Sequence, residues 1–244
     1  MAGEGPHKVN IAQNLEEVQD RIRAAALRAE RDPNEVRLIA VSKLQNIAKI
    51  REAYAAGIRD FGENRALEAI PKQKQLSDLQ EIRWHMVGHI QSRKTRYLVP
   101  NFSMVHSIDR LKIAKRLSRH SKEHGQNLPV LLECNVSGEE TKEGWDVADR
   151  ETWSRVVPEF KEIVDLPYLD VCGLMTMAPF GASVDELRSV FSTLRELRDF
   201  LSESVPGNWE ELSMGMTDDY EIAIEEGATL LRIGRAIFGP RTYE

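Results

Sequence analysis

The chain has 244 residues, 41% hydrophobic and 30% charged, with a formal net charge of −6. That is an ordinary globular composition, and its acidic balance argues against non-specific binding to nucleic acid or anionic membranes. No apolar run approaches the roughly 18 residues of a membrane span, and Met1–Pro6 lacks the character of a signal peptide, so a cytoplasmic protein is expected.

Residues 1–10 read as a flexible leader and residues 11–244 as one domain. From 11 to 29, Leu15, Val18, Ile22, Ala25 and Ala26 recur at helical spacing, and Asp32-Pro33 stops that helix. Residues 38–41 are apolar on both faces and form a short buried strand, with Ser42 and Lys43 at its C-terminal end. Helix 47–56 closes at Gly57. Strand 58–61 runs into Gly62-Glu63-Asn64. Helix 65–76 leads to strand 82–87, then Gly88-His89. A short basic helix, 90–98, precedes strand 103–106. Asp109 is the expected N-cap of helix 110–124, which ends at Gly125. Strand 129–136 carries Cys134 and Asn135, and a polar loop runs on to Gly144. Helix 150–164 contains Pro158, where a kink is expected. Strand 168–174 ends in Met175-Thr-Met-Ala-Pro179, and helix 184–201 follows. Strand 209–212 ends in Ser213-Met-Gly-Met-Thr217. Helix 218–226 and strand 229–233 complete the pattern, with Gly234-Arg235 and a final short turn.

Eight strand–helix units after an extra N-terminal helix make an α/β fold, a single (β/α)8 TIM barrel. An open doubly wound sheet is the competing arrangement. In a barrel, function gathers at the C-terminal strand ends. Those ends carry Ser42, Lys43, Glu63, Asn64, His85, Gly88, Ser107, Asn135, Met175, Thr176, Ser213, Gly215, Thr217, Arg232, Gly234 and Arg235. The loops after strands seven and eight resemble a phosphate cup built on backbone N–H groups. Lysines at strand ends are mostly solvated, but a lysine across the mouth from a phosphate site suits pyridoxal 5′-phosphate, whose aldehyde condenses with an amine.

The ordered motifs resemble the pyridoxal phosphate homeostasis protein family, with its alanine racemase-like barrel. They are Ala40-Val-Ser-Lys43, Phe61-Gly-Glu-Asn64, Trp84-His-Met-Val-Gly-His-Ile-Gln91 with Lys94, Gly173-Leu-Met175, Leu212-Ser-Met-Gly-Met-Thr-Asp-Asp219, and Arg232-Ile-Gly-Arg-Ala-Ile-Phe-Gly239 with Arg241. The resemblance implies that Lys43 holds pyridoxal 5′-phosphate as a Schiff base. It implies Ser213, Gly234 and Arg235 at the phosphate, Asn64 beside the ring and Arg232 at the ring nitrogen. His85 and Met214 complete the expected cofactor-binding set. Three positions depart from the family pattern: Arg65 replaces an aromatic, Arg93 an asparagine, and Arg235 a frequent threonine.

The function implied is a carrier or buffer of the cofactor in vitamin B6 and amino-acid homeostasis, not an enzyme. Racemases of this fold take a second base from a further β domain, and the chain as given ends soon after the last barrel strand. The expected partners are the cofactor itself and cofactor-dependent apo-enzymes, with no nucleic acid and no membrane, and a monomer is the default. The rival readings are a racemase or decarboxylase using Glu63, His85 or Tyr220, and a phosphate-sugar barrel enzyme without the cofactor. His85 and His89 are four apart but straddle a strand end, so a metal site is not expected. Cys134 and Cys172 are expected to be inert core thiols, which suits a reducing compartment. Ser213→Ala and Arg232→Gln are expected to weaken cofactor retention.

Overall fold

Each strand of the computed structural model, which describes residues 9–240, is followed by a segment that carries the chain back, so neighbouring barrel strands all pair in parallel. The strands β1 (Arg37–Val41), β2 (Asp60–Glu63), β3 (Arg83–Met86), β4 (Met104–Ile108), β5 (Leu128–Asn135), β6 (Leu169–Met175), β7 (Glu211–Ser213) and β8 (Leu230–Ile233) stand in sequence order. β1 pairs with β8, and β4 with β5. The sheet therefore closes into the (β/α)8 barrel, and the open-sheet arrangement is excluded. A two-residue strand, Trp145–Asp146, adds to β5 outside the barrel, at the end of the expected polar loop.

The helices α1 (Ile11–Arg28), α2 (Ile47–Ala55), α3 (Ala66–Gln75), α4 (Leu111–His124), α5 (Trp153–Val164), α6 (Val184–Ser204), α7 (Tyr220–Glu225) and α8 (Arg235–Phe238) surround it. α1 buries Ile11, Leu15, Val18 and Ile22 and packs against α7, α8 and α2. Each such side chain contributes about 1.5–3 kcal/mol by leaving water. Asn10 caps α1 by accepting from Gln13 N at 3.2 Å, and Val9 packs on the core. Residues 1–8, most of the expected leader, and Arg241 lie outside the described residues.

Three expected elements differ. Segment 90–98 forms a 3-10 helix, Ser92–Tyr97. Its bonds are of the i→i+3 kind, Lys94 N to Gln91 O at 2.7 Å and Leu98 N to Thr95 O at 3.1 Å, and Pro100 bars extension. Asp109 is not a cap: α4 starts at Leu111, whose N–H donates to Glu159 Oε1 at 3.2 Å, while the Asp109 carboxylate is drawn to Arg110 and His89. The segment starting at Arg150 opens as a 3-10 turn capped by Asp149, and α5 then continues through Pro158.

Alternation along the strands sends every second side chain inward. Ile39, Met104, Leu131, Cys172, Met175 and Leu230 form a buried cluster of their own, separate from the large core between sheet and helices. Above and beside that plug, the barrel interior is polar. Asp60, His85, His106, Glu133, Ser213 and Arg232 are all buried.

Candidate functional site

A cavity of about 810 Å³ opens at the C-terminal ends of the strands, within the size range of small-molecule sites. Lys43, two residues beyond the tip of β1, lines it and is half-buried. The turn that places Lys43 is tied down on the side away from the cavity. Ser42 N donates to Gly62 O at 2.9 Å, and Ser42 Oγ donates to Glu63 Oε1 at 2.7 Å. Lys72 Nζ, from α3, donates to both Glu63 Oε1 (2.8 Å) and Ser42 O (2.9 Å). Leu44 follows at φ +62°, a left-handed conformation that a leucine adopts only when its surroundings impose it. Glu63 is therefore a structural anchor for the lysine turn. Lys72, an exposed-looking helix residue in the sequence, completes that anchor.

Asn64 also lines the cavity. Its main chain is clamped by Gly88, where an added Cβ would lie 2.5 Å from Asn64 O. Ser107 Oγ holds Gly88 O at 2.6 Å.

Across the mouth, the loops after β7 and β8 meet. Met216, Thr217, Arg232, Gly234 and Arg235 line the same cavity. Gly215 (φ +92°) lets the β7 loop turn tightly, and its carbonyl accepts from Arg232 N at 3.0 Å. Asp219 Oδ1 accepts from Met216 N at 2.5 Å, and Thr217 Oγ1 accepts from Ala236 N at 3.4 Å. Arg235 is the first residue of α8, so its N–H has no partner within the helix. Its guanidinium instead pairs with Asp218 at the rim.

Arg232 is buried, and its guanidinium is fixed from below by Ser213 Oγ (2.6 Å) and Thr176 O (2.8 Å). It makes no ion pair among the described residues. Burial lowers its pKa to about 10, against the pull of Asp219 and Glu133, so it stays cationic at neutral pH. A buried cation on a cavity wall without a contacting carboxylate is a site for an anion or a hydrogen-bond acceptor.

The expected residues thus divide. Lys43, Asn64, Arg232, Gly234 and Arg235 come together around one cavity. Ser213, His85 and Met214 do not line it. The Ser213 hydroxyl is engaged by His106 and Arg232 inside the barrel, and His85 lies deeper still, between Asp60 and His106. Met214 is packed in the core. Thr217, four residues beyond Ser213, is the hydroxyl that reaches the cavity. Of the proposed acid–base groups, Glu63 is bonded to Ser42 and Lys72, and His85 is internal. Tyr220 is buried under α1 with Arg21 stacked 5.3 Å over its ring. None of the three faces the cavity.

His89 parts from His85 and stands at the surface, 3.3 Å from Asp109 and 3.5 Å from Glu143, with Arg110 on the same Asp109 carboxylate. His89, Asp109 and Glu143 stand close enough together that they could share a cation, and the Asp109 carboxylate is already paired with Arg110. Both cysteines are buried and free, and burial pushes the Cys172 thiol up to about 12, which disfavours its reactive thiolate form. A second cavity, about 370 Å³, lies on the basic outer face of α4, away from every strand end. No helix among the described residues is long and apolar enough to cross a membrane.

Residues 12–242 match the alanine racemase N-terminal domain family. The pyridoxal phosphate homeostasis protein of Pseudomonas aeruginosa is 47% identical over 234 residues, 96% of each chain. PipY of Synechococcus elongatus, solved with PLP bound, superposes with a TM-score of 0.79 at 37% identity, covering 94% of this chain and all of PipY. Alanine racemase of Clostridium difficile, in complex with cycloserine, shares the fold at 15% identity and a TM-score of 0.73. The match covers 96% of this chain and 60% of the racemase.

Proposed function

The chain belongs to the alanine racemase N-terminal domain family and, within it, to the pyridoxal phosphate homeostasis proteins, and from that premise we propose that it binds pyridoxal 5′-phosphate at Lys43 and serves in the homeostasis of that cofactor. One observation carries the reading. Lys43 and the unpaired buried cation Arg232 face one cavity of about 810 Å³, with the Thr217 hydroxyl and the Arg235 N–H beside them. The residues present fit an aldehyde that also bears a phosphate.

When bound, the cofactor supplies an aldehyde carbon that condenses with a primary amine, releasing water. Lys43 would be that amine. Thr217 Oγ1 and the Arg235 N–H would hold the phosphate, with Gly234 leaving the backbone room to approach. Asn64 would flank the ring, and Arg232 would donate toward the ring nitrogen. An arginine there would keep its proton and leave the nitrogen unprotonated, weakening the electron sink that amino-acid chemistry needs. Among the described residues, Glu63, His85 and Tyr220 are turned away from the cavity, and the carboxylates that do line it, Asp218 and Asp219, are engaged by Arg235 and by Met216 N. That arrangement supports retention and release of the cofactor over turnover. The recipients proposed are cofactor-dependent apo-enzymes.

Borohydride treatment of the loaded protein is expected to fix the cofactor mass on the peptide containing Lys43, and Lys43→Ala should lose the adduct entirely. Colourless protein that takes up no cofactor would sink the reading. Steady turnover of an amino acid, lost in Lys43→Ala, would favour a racemase or decarboxylase instead. Equilibrium dialysis separates the two hydroxyls: Thr217→Val should weaken retention about tenfold by removing one hydrogen bond to a charged group. Retention unchanged in Thr217→Val but lost in Ser213→Ala by direct contact would restore Ser213 to the phosphate.

A further inference from the structure

Below the cavity, six polar side chains from five strands run in one unbroken line. Arg83 clasps Asp60 (Nε to Oδ1 2.7 Å, Nη2 to Oδ2 2.5 Å). Asp60 Oδ1 is 2.8 Å from His85 Nε2, and His85 Nδ1 is 3.0 Å from His106 Nε2. His106 Nδ1 is 2.8 Å from Ser213 Oγ, and Ser213 Oγ is 2.6 Å from Arg232 Nη1. From Asp60 to Arg232, every member is buried.

The two ends fix the direction of every bond between them. Ionised Asp60 only accepts, so His85 donates through Nε2. Neutral His85 then accepts at Nδ1, so His106 donates through Nε2. His106 must accept at Nδ1, and the donor is the Ser213 hydroxyl. Arg232, which only donates, supplies the Ser213 oxygen. Every donor and acceptor is used, with both rings neutral. A protonated ring in the line would leave the Ser213 proton without an acceptor among the described residues.

We propose that Asp60, His85, His106 and Ser213 form a one-way hydrogen-bond relay that holds Arg232 in its cavity-facing pose, with His106 as the central positioning residue. The relay itself stands on the geometry above; its effect on the cofactor rests on the reading under Proposed function. The charges of the line are Arg232 at one end and the Asp60–Arg83 pair at the other, and the neutral groups between are polarised the same way. Both inner N–H groups of Arg232 are occupied, one by Ser213 and one by Thr176 O, so the guanidinium is kept from swinging toward Asp219 or Glu133. Burial above all holds His106 well below the ordinary histidine range, in keeping with a neutral ring. Burial alone would push the Asp60 carboxyl up, but the bonds from Arg83 and His85 outweigh it and keep the group ionised.

Nitrogen-15 spectra of the histidine rings test the relay on the protein as purified. His85 and His106 are expected as Nε2–H tautomers, with His106 unchanged between about pH 5.5 and 8.5. An Nδ1–H tautomer at His106, or titration in that window, would overturn the relay. A second arm uses cofactor-loaded protein. His106→Leu removes both links, while His106→Asn keeps an acceptor toward Ser213. His106→Leu should weaken retention about tenfold and shift the pH midpoint of the bound chromophore's absorbance, and His106→Asn should recover most of both. Wild-type spectra and retention in both variants would defeat the positioning role. Failure of the wild-type protein to take up cofactor would defeat the cofactor reading alone, and the tautomers would then decide the relay.

Discussion

Gly173→Ala should leave almost no folded protein. Gly173 sits in β6 at φ +148°, and a Cβ built there lies 1.9 Å from the Glu211 carbonyl oxygen and 2.8 Å from its carbon. Both atoms are main chain of the paired strand β7, with Gly173 opposite Glu211 in the register. No side chain can move aside. Parting β6 from β7 would tear the closed barrel, because β7 also pairs with β8. The loss expected is above about 4 kcal/mol, a large share of the stability of a domain. Gly125→Ala is the control: it too has positive φ (+63°), but with nothing within 4 Å of the new Cβ, so about 1–2 kcal/mol is expected. Soluble yield and thermal unfolding followed by circular dichroism measure both. A Gly173→Ala protein melting near wild type would contradict this account of the β6–β7 contact. The site is tied to the same contact, since Thr176 N donates to Ser213 O at 3.1 Å just beyond it and Thr176 O holds Arg232.

The barrel was legible because its signal is repeated. Eight short apolar runs, each followed by turn residues and a helix period, leave few alternatives, and the strand-end rule then gathers Lys43, Asn64, Arg232, Gly234 and Arg235 without any coordinates. Ser213 was harder for a physical reason. β7 has only three residues, and a shift of one position exchanges inward for outward. The last strand residue, Ser213, turned inward to His106, and Thr217 took the cavity. His106 was invisible because Met104-Val-His-Ser-Ile108 reads as an ordinary buried strand. The signal was present but non-local. An inward histidine needs a polar partner, and Asp60, His85 and Ser213 are inward polar residues on β2, β3 and β7. Asp109 failed as a cap because its carboxylate found cations. Arg110 and His89 outcompete the N–H groups of α4, and Glu159, 48 residues on from Leu111, takes the Leu111 N–H. Contacts of that kind leave no local trace in sequence.

Glu133→Gln should make the protein more stable above pH 7.5 and leave it unchanged near pH 5. Glu133 lies on β5 inside the barrel, buried, and its Oε2 has no hydrogen-bond partner. Burial first, then the charge of Asp109, raises its carboxyl to about 7; Glu143 adds to this and Arg232 opposes it. The folded-state value therefore exceeds the unfolded one. The stability tied to this proton is fully present below the ordinary glutamate range and is lost as pH rises through about 7. A shift of this size corresponds to about 3–3.5 kcal/mol once all of it is lost. Glutamine keeps the volume and never ionises, so it should show no such loss. Urea midpoints at pH 5 and pH 8 read the difference. The protonated acid also matters to the cavity. An ionised Glu133 would compete with a bound anion for the field of Arg232, so phosphate-bearing ligands should bind more weakly as pH passes 7 in the wild type and hold steady in Glu133→Gln. An equal stability gain at both pH values would show that Glu133 is already ionised in the fold and that the pH argument fails.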